Sequence, residues 1–230
     1  MTDTIIFIIL AVSAYLIGSL PAAYLVVKWR FKKDIRNYGS GQVGGSNVFR
    51  NFSKRWGFAV GIYDLLKGVI FVLITQYLGF SVAHQVVIGI LVIAGHNWPV
   101  FLKFNAGRGV ATALGVCFVI YPFGIWIFLA FAIFTLLVKS SPLPALIGMA
   151  AMPVSAWLRG ETLAVTLGLT GLLLIIIIRR LIAPLTERSK NIPKRELFLN
   201  RFLFDRDIRD AKTWVKFRKP EAKTEKTEKE

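Results

Sequence analysis

Apolar runs long enough to cross a bilayer recur along this chain, and each must satisfy its own backbone hydrogen bonds where no water is available. That requirement leaves an all-α, polytopic membrane protein as the fold class. The runs fall at residues 4–27, 57–78, 81–94, 110–120, 123–138, 143–157 and 163–178, which predicts about seven transmembrane helices, several of them short. Hydrophobic residues make up 55% of the 230, and the mean hydropathy is +0.58, so an ordinary soluble domain is excluded. No basic region precedes the first run and no small-residue cleavage site is in place, so it reads as a retained span. Gly18-Ser19-Leu20-Pro21 interrupts that span and predicts a kink.

Charge sets the orientation. The net charge of +16 suggests nucleic acid until its distribution is considered: the cations collect between and after the apolar runs. Seven spans put the termini on opposite sides of the membrane. With the N-terminus outside, Arg159 is the one external cation among the 29 Lys and Arg, while Lys67 lies inside a span. This orientation predicts a cytoplasmic C-terminus and brings residues 28–56, 95–109, 139–142 and 179–230 to one face. Residues 1–192 then form the membrane domain. Residues 193–219 form a basic amphipathic cytoplasmic extension, suited either to lie on anionic lipid or to remain solvated. Residues 220–230, PEAKTEKTEKE, read as a disordered charged tail.

The loop with most chemical content lies within residues 94–112, AGHNWPVFLKFNAGRGVAT. Its Gly-Arg-Gly can aim several backbone N–H groups and one cation at an anion, although a tight membrane hairpin would use the same glycines. Standard catalytic devices are missing. His84 and His96 are too few and too far apart for a multi-histidine metal site, neither begins a His-x4-Asp pattern, and no Gly-x-Ser-x-Gly elbow occurs. Cys117 is the single cysteine, which excludes a disulfide framework and a thiolate metal cluster. What recurs is anion-binding material: Arg36, Ser40, Asn47, Arg50, Arg108, Ser140, Ser141, Arg188 and Asn191. Such an inventory suits one or two phosphate-bearing ligands, or else an unspecialised positive-inside surface. Asp64 and Lys67, three apart on one helical face, read equally as a structural ion pair or a substrate contact, and His96 as a helix-end packing residue.

The order of these motifs resembles the bacterial acyl-phosphate:glycerol-3-phosphate acyltransferases, the PlsY family. DIRNYGSGQVGGSNVFR at residues 34–50 is similar to the first family signature, and Asp64-Leu65-Leu66-Lys67-Gly68 to its D-x-x-K-G. The Gly-His…Gly-Arg-Gly-Val-Ala-Thr stretch, the Ser140-Ser141 turn and Arg188-Ser189-Lys190-Asn191-Ile192 follow in family order. Departures occur at Gln42 for Asn, Gly45-Ser46 for Ala-Thr, Asn105-Ala106 for Lys-Gly, Arg108 for Lys, and Arg188 for His. The resemblance implies transfer of a fatty acyl group from acyl phosphate to the 1-hydroxyl of glycerol 3-phosphate at the bacterial plasma (inner) membrane, without a metal or cofactor. It implies an acyl-phosphate site of Asn47, Gly107, Arg108, Gly109 and Thr112. The implied glycerol-phosphate site is Ser40, Arg50, Arg108, Ser141 and Asn191, with Arg188 in the place of the family histidine; Ser40, Arg50, Arg108, Arg188 and Asn191 are the implied catalytic set. Membrane lipid is an expected partner and nucleic acid is not. An organophosphate or anion transporter, or a catalytically altered scaffold derived from the enzyme, would carry the same cationic loops.

Overall fold

Helices begin and end where the apolar runs do. The computed structural model describes residues 1–138, 142–184 and 189–215, and among these it contains eleven α-helices and no strand. The first apolar run divides at Ser19-Leu20-Pro21 into α1 (Thr2–Gly18) and α2 (Ala22–Phe31), because Pro21 cannot continue the hydrogen-bond ladder. Buried Ser19 turns its hydroxyl back onto the Tyr15 carbonyl at 2.8 Å, which satisfies one group at the break. A short α3 (Gly45–Asn51) precedes α4 (Lys54–Tyr77) and α5 (Val82–Asn97). The Gly-Arg-Gly loop then leads into α6 (Val110–Ile120), α7 (Gly124–Val138), α8 (Pro142–Leu158) and α9 (Leu163–Leu181). The basic segment beyond is helical too, in α10 (Lys194–Phe204) and α11 (Ala211–Val215).

Among the described residues, four helical stretches are long and apolar enough to cross a membrane: Thr2–Phe31, Lys54–Tyr77, Val82–Leu102 and Leu163–Leu181. The three at Val110–Ile120, Gly124–Val138 and Pro142–Leu158 are apolar but shorter. The surface is inverted relative to a soluble protein. Ile9, Phe58, Ile70, Trp126, Leu136 and Leu163 are exposed, whereas Asp64, Lys67, Arg108, Arg179 and Arg180 are buried.

Small residues decide where helices touch. A Cβ added to Gly18 would collide with the Val92 carbonyl, and one on Gly95 with the Tyr15 carbonyl, so α1 and α5 cross backbone to backbone. Gly68 against the Thr112 carbonyl and Gly115 against the Leu65 carbonyl bring α4 and α6 equally close. That second crossing fixes the first turn of α6 against the charged middle of α4. Behind it, Val116, Cys117, Met149, Met152, Leu169 and Leu172 close the main apolar core. Gly115→Leu would wedge the crossing open, at a cost of about 1–3 kcal/mol from overpacking. Thermal unfolding in detergent should show a lowered midpoint for this variant and no loss for Gly61→Ala, a position in α4 where an added Cβ meets no atom within 4 Å.

Candidate active site

A cavity of about 740 Å³ lies where α3, α4, α6 and the C-terminal helices meet. Its lining combines polar and cationic side chains, Ser40, Arg50, Arg108, Arg180 and Arg206 with Asp205, with the apolar Phe49, Phe58, Ile62, Leu65 and Leu114. Phe58 is 67% exposed and Phe49 45%, so part of the apolar lining reaches the surface of the bundle.

The Gly-Arg-Gly loop is held from both sides. Ala106 N–H donates to the Asn97 carbonyl (3.3 Å) and Gly107 N–H to the His96 carbonyl (3.4 Å), which fastens the loop to the end of α5. From the opposite side Arg179, at the end of α9, donates from Nε to the Gly107 carbonyl (3.0 Å). Its Nη2 reaches the Asn105 side chain (2.6 Å) and the Ala106 carbonyl (3.3 Å). Gly109 caps α6 at φ +73°, and a Cβ there would stand 2.6 Å from Asn97 Oδ1. The loop carbonyls therefore turn toward Arg179, and the N-terminus of α6 faces the cavity through Val110 and Ala111.

Arg108 crosses this arrangement. Its Nη1 donates to the Arg179 carbonyl (2.7 Å), and its Nε lies 2.7 Å from Asp205 Oδ1. Gln42, with its amide oxygen turned inward, accepts from Arg108 Nε and Nη2 at 2.9 Å each. Asp205 ends α10 in the left-handed conformation (φ +52°), which an aspartate tolerates. It is brought there by Arg201, whose guanidinium pairs with Asp207 (2.7 Å) and donates to the carbonyls of Leu181, Ala183 and Pro184 beyond α9. Arg180 adds Nη1 to the Phe202 carbonyl (3.1 Å) and Nη2 to the Pro142 carbonyl (3.0 Å), so α8, α9 and α10 share one anchor. Partial burial lowers the Arg50 guanidinium from its ordinary value, and the charge of Asp205 works in the opposite direction.

Of the residues singled out in the sequence, Ser40, Asn47, Arg50, Gly107, Arg108 and Gly109 line the cavity. Asn47 does so with its amide committed, donating to the Tyr38 (3.0 Å) and Gln42 (2.9 Å) carbonyls, so it holds the 38–47 loop in shape. Arg36 is exposed and paired with Asp34 (2.6 Å), and two more are placed elsewhere. Thr112 is fully buried against α4, and its hydroxyl has no hydrogen-bond partner among the described residues. Asn191 is exposed in the turn before α10 and does not line the cavity. Ser140, Ser141 and Arg188 lie outside the described residues. The sequence reading passed over Arg179, Arg180, Asp205 and Arg206, although two arginines closing an apolar helix were a usable signal for the first pair. No group of three His, Cys, Asp or Glu side chains suited to a metal occurs among the described residues.

Residues 8–188 match the family model described as glycerol-3-phosphate acyltransferase. The chain belongs to this family. Glycerol-3-phosphate acyltransferase 4 of Dehalococcoides mccartyi (strain CBDB1) is 46% identical over 217 residues, covering 91% of this chain and 93% of the relative. Glycerol-3-phosphate acyltransferase of Endomicrobium trichonymphae is 35% identical over 187 residues, covering 80% and 94%. The crystal structure of PlsY (YgiH), an integral membrane glycerol 3-phosphate acyltransferase, in its glycerol 3-phosphate form superposes with a TM-score of 0.71 at 32% identity. That superposition covers 76% of this chain and 88% of the other. The lysophosphatidic acid form gives the same TM-score at 28% identity, over 91% and 97%. Asp205 and Arg206 lie beyond the residues matched by the family model, yet they stand against Arg108 and Arg50 in this acyltransferase fold.

Asp205 occupies a face of Arg108 that an anion would use. Asp205→Asn should tighten binding of inorganic phosphate about fivefold, corresponding to roughly 1 kcal/mol of relieved repulsion. Arg108→Ala should reduce it below detection, and titration calorimetry on the detergent-solubilised protein reads both.

Proposed function

We propose that the protein is a membrane glycerol-3-phosphate acyltransferase that takes its acyl group from acyl phosphate and produces lysophosphatidic acid for phospholipid synthesis. The observation that carries this reading is the mixed lining of one cavity: arginines and the first residues of α6 share it with apolar side chains, two of which reach the bundle surface. Such a lining suits a phosphate joined to a fatty chain.

In this reading the acyl phosphate sets its phosphate on the Gly107–Gly109 loop, where the α6 N-terminus and Arg108 meet it, and its chain lies along Phe49, Phe58, Ile62 and Leu114. Glycerol 3-phosphate enters beside Ser40 and Arg50, with Ser141, Arg188 and Asn191 as the further ligands that the family resemblance implies. The acceptor hydroxyl oxygen attacks the acyl carbonyl carbon, the carbon–oxygen bond to phosphate breaks, and an ester forms. The hydroxyl proton passes to a phosphate oxygen of the substrates, since the carboxylates that line the cavity among the described residues, Asp64 and Asp205, are already paired with Lys67 and Arg108. Phosphate is a good leaving group, so the chain has mainly to align two anions and offset their repulsion. No cofactor is required for that chemistry. The same reading has seven crossings of the bacterial plasma membrane, an external N-terminus and a cytoplasmic site. Residues 1–192 are the catalytic domain, 193–219 a basic amphipathic cytoplasmic extension, and 220–230 a charged tail.

Purified protein given acyl phosphate and glycerol 3-phosphate should release phosphate and form lysophosphatidate in equal amounts. Arg108→Ala and Arg50→Ala should each lower kcat/KM by about 10²–10³ through lost charge stabilisation. Wild-type turnover unaffected by either substitution rejects the site, and solute flux in sealed vesicles without product points to a transporter.

A further inference from the structure

Lys67 lies in the middle of α4, buried, with three acceptors around its ammonium: the Gly18 carbonyl at 3.1 Å, Asp64 Oδ1 at 2.9 Å and His96 Nδ1 at 2.8 Å. An ammonium carries three N–H groups and no lone pair, so each of these contacts consumes one donor. His96 Nδ1 must therefore accept. Asp64 Oδ1 also lies 3.3 Å from Nδ1, but a proton on Nδ1 would set N–H against N–H at the shorter Lys67 contact. The same conflict excludes the imidazolium. The heavy-atom network thus fixes the neutral tautomer with its proton on Nε2.

That proton faces the anion loop. A Cβ added to Gly107 would fall onto His96 Nε2, so the ring edge lies directly against the Gly107 Cα. His96 lines the cavity, and its own carbonyl holds the Gly107 N–H, so ring and loop are rigid with respect to each other. Among the described residues, Nε2 has no protein partner.

Resting on the acyltransferase reading above, we propose that His96 is a catalytic hydrogen-bond donor, whose neutral Nε2–H binds an oxygen of the phosphate held by Gly107–Gly109. It is not the general base. A base needs a lone pair on the cavity side, and the only lone pair of this ring is on Nδ1, covered by Lys67. Lys67 and Asp64 act on the reaction by fixing the tautomer and are positioning residues. Gly107 is required because any side chain there would push the ring away from the anion.

The test exploits amide geometry: Gln can place an N–H where Nε2 stood, while Asn reaches only as far as Nδ1. His96→Gln should bind inorganic phosphate within a few-fold of wild type. His96→Asn and His96→Ala should bind it about 10- to 100-fold more weakly, as expected for losing a hydrogen bond to a charged group. Acyl transfer should fall in the same order, with no acid limb in the wild-type pH profile that His96→Gln removes. In 15N-histidine-labelled protein carrying His84→Gln, the remaining imidazole should give the signals of a neutral ring protonated on Nε2. An Nδ1–H or imidazolium signal, equal weakening in Gln and Asn variants, or an acid limb belonging to His96 overturns the proposal. Phosphate affinity and the nitrogen signals are read without turnover. A wild type that binds phosphate through His96 but transfers no acyl group would therefore reject the enzymatic reading and leave the donor intact.

Discussion

Arg179 makes the anion loop possible. A Gly-rich loop between apolar helices carries carbonyls that neither lipid nor a neighbouring helix can satisfy. Arg179 closes them, one fork of N–H groups spanning Asn105, Ala106 and Gly107. The Ala106 and Gly107 N–H groups are held by carbonyls of α5, so the donors left at the cavity are those of the first turn of α6, which starts there. Arg108 returns the contact by donating to the Arg179 carbonyl, a group at the end of α9 that has no continuing helix to accept from. Each arginine thus terminates the backbone of the other's segment. Displacing either would release the loop, the end of α9 and the anchor of α10 together.

Much of this was legible from the sequence because it rests on periodicity and punctuation. Apolar runs located the helices, Pro21 located the break between α1 and α2, and Gly-Arg-Gly located the loop that faces the cavity. The pairing of long-range partners was not legible. Lys67 and Asp64 are three residues apart and invite a local ion-pair reading, but His96 and the Gly18 carbonyl that complete their set come from other helices. Asp205 sits in a segment whose net charge is strongly positive, so composition predicted a cationic surface and concealed one carboxylate directed inward. Asn47 and Thr112 show the converse: both carry suitable donors, but packing has already committed the first to loop carbonyls and enclosed the second behind Gly68.

The C-terminal segment has an electrostatic reason to fold where it does. Arg50, Arg108, Arg180 and Arg206 share one cavity with apolar side chains, and their mutual repulsion is poorly screened there. Asp205 offsets part of that repulsion, and Arg201 sets it in place by gripping carbonyls at the end of α9 and just past it. In the proposed site a phosphate would offset the repulsion more fully. Carboxylate and phosphate would then compete for Arg108, so the segment that completes the wall of the cavity would also tune how strongly an anion is held.

The arginine at position 108 is intelligible in the same terms. A lysine offers three N–H groups from a single point and would have to choose between the loop anchor and the anion. A guanidinium is planar and presents five donors in fixed directions. Arg108 uses Nη1 for the Arg179 carbonyl, while Nε and Nη2 stay directed toward Gln42, Asp205 and the cavity. In the proposed site, structural and ligand-binding duties would thereby be separated on one side chain. Gln42, which accepts from the same edge, orients that fork and has a longer reach than an asparagine at this position would have. Two of the departures from the family pattern, Gln42 and Arg108, are thus in direct contact, and the physical account of one requires the other.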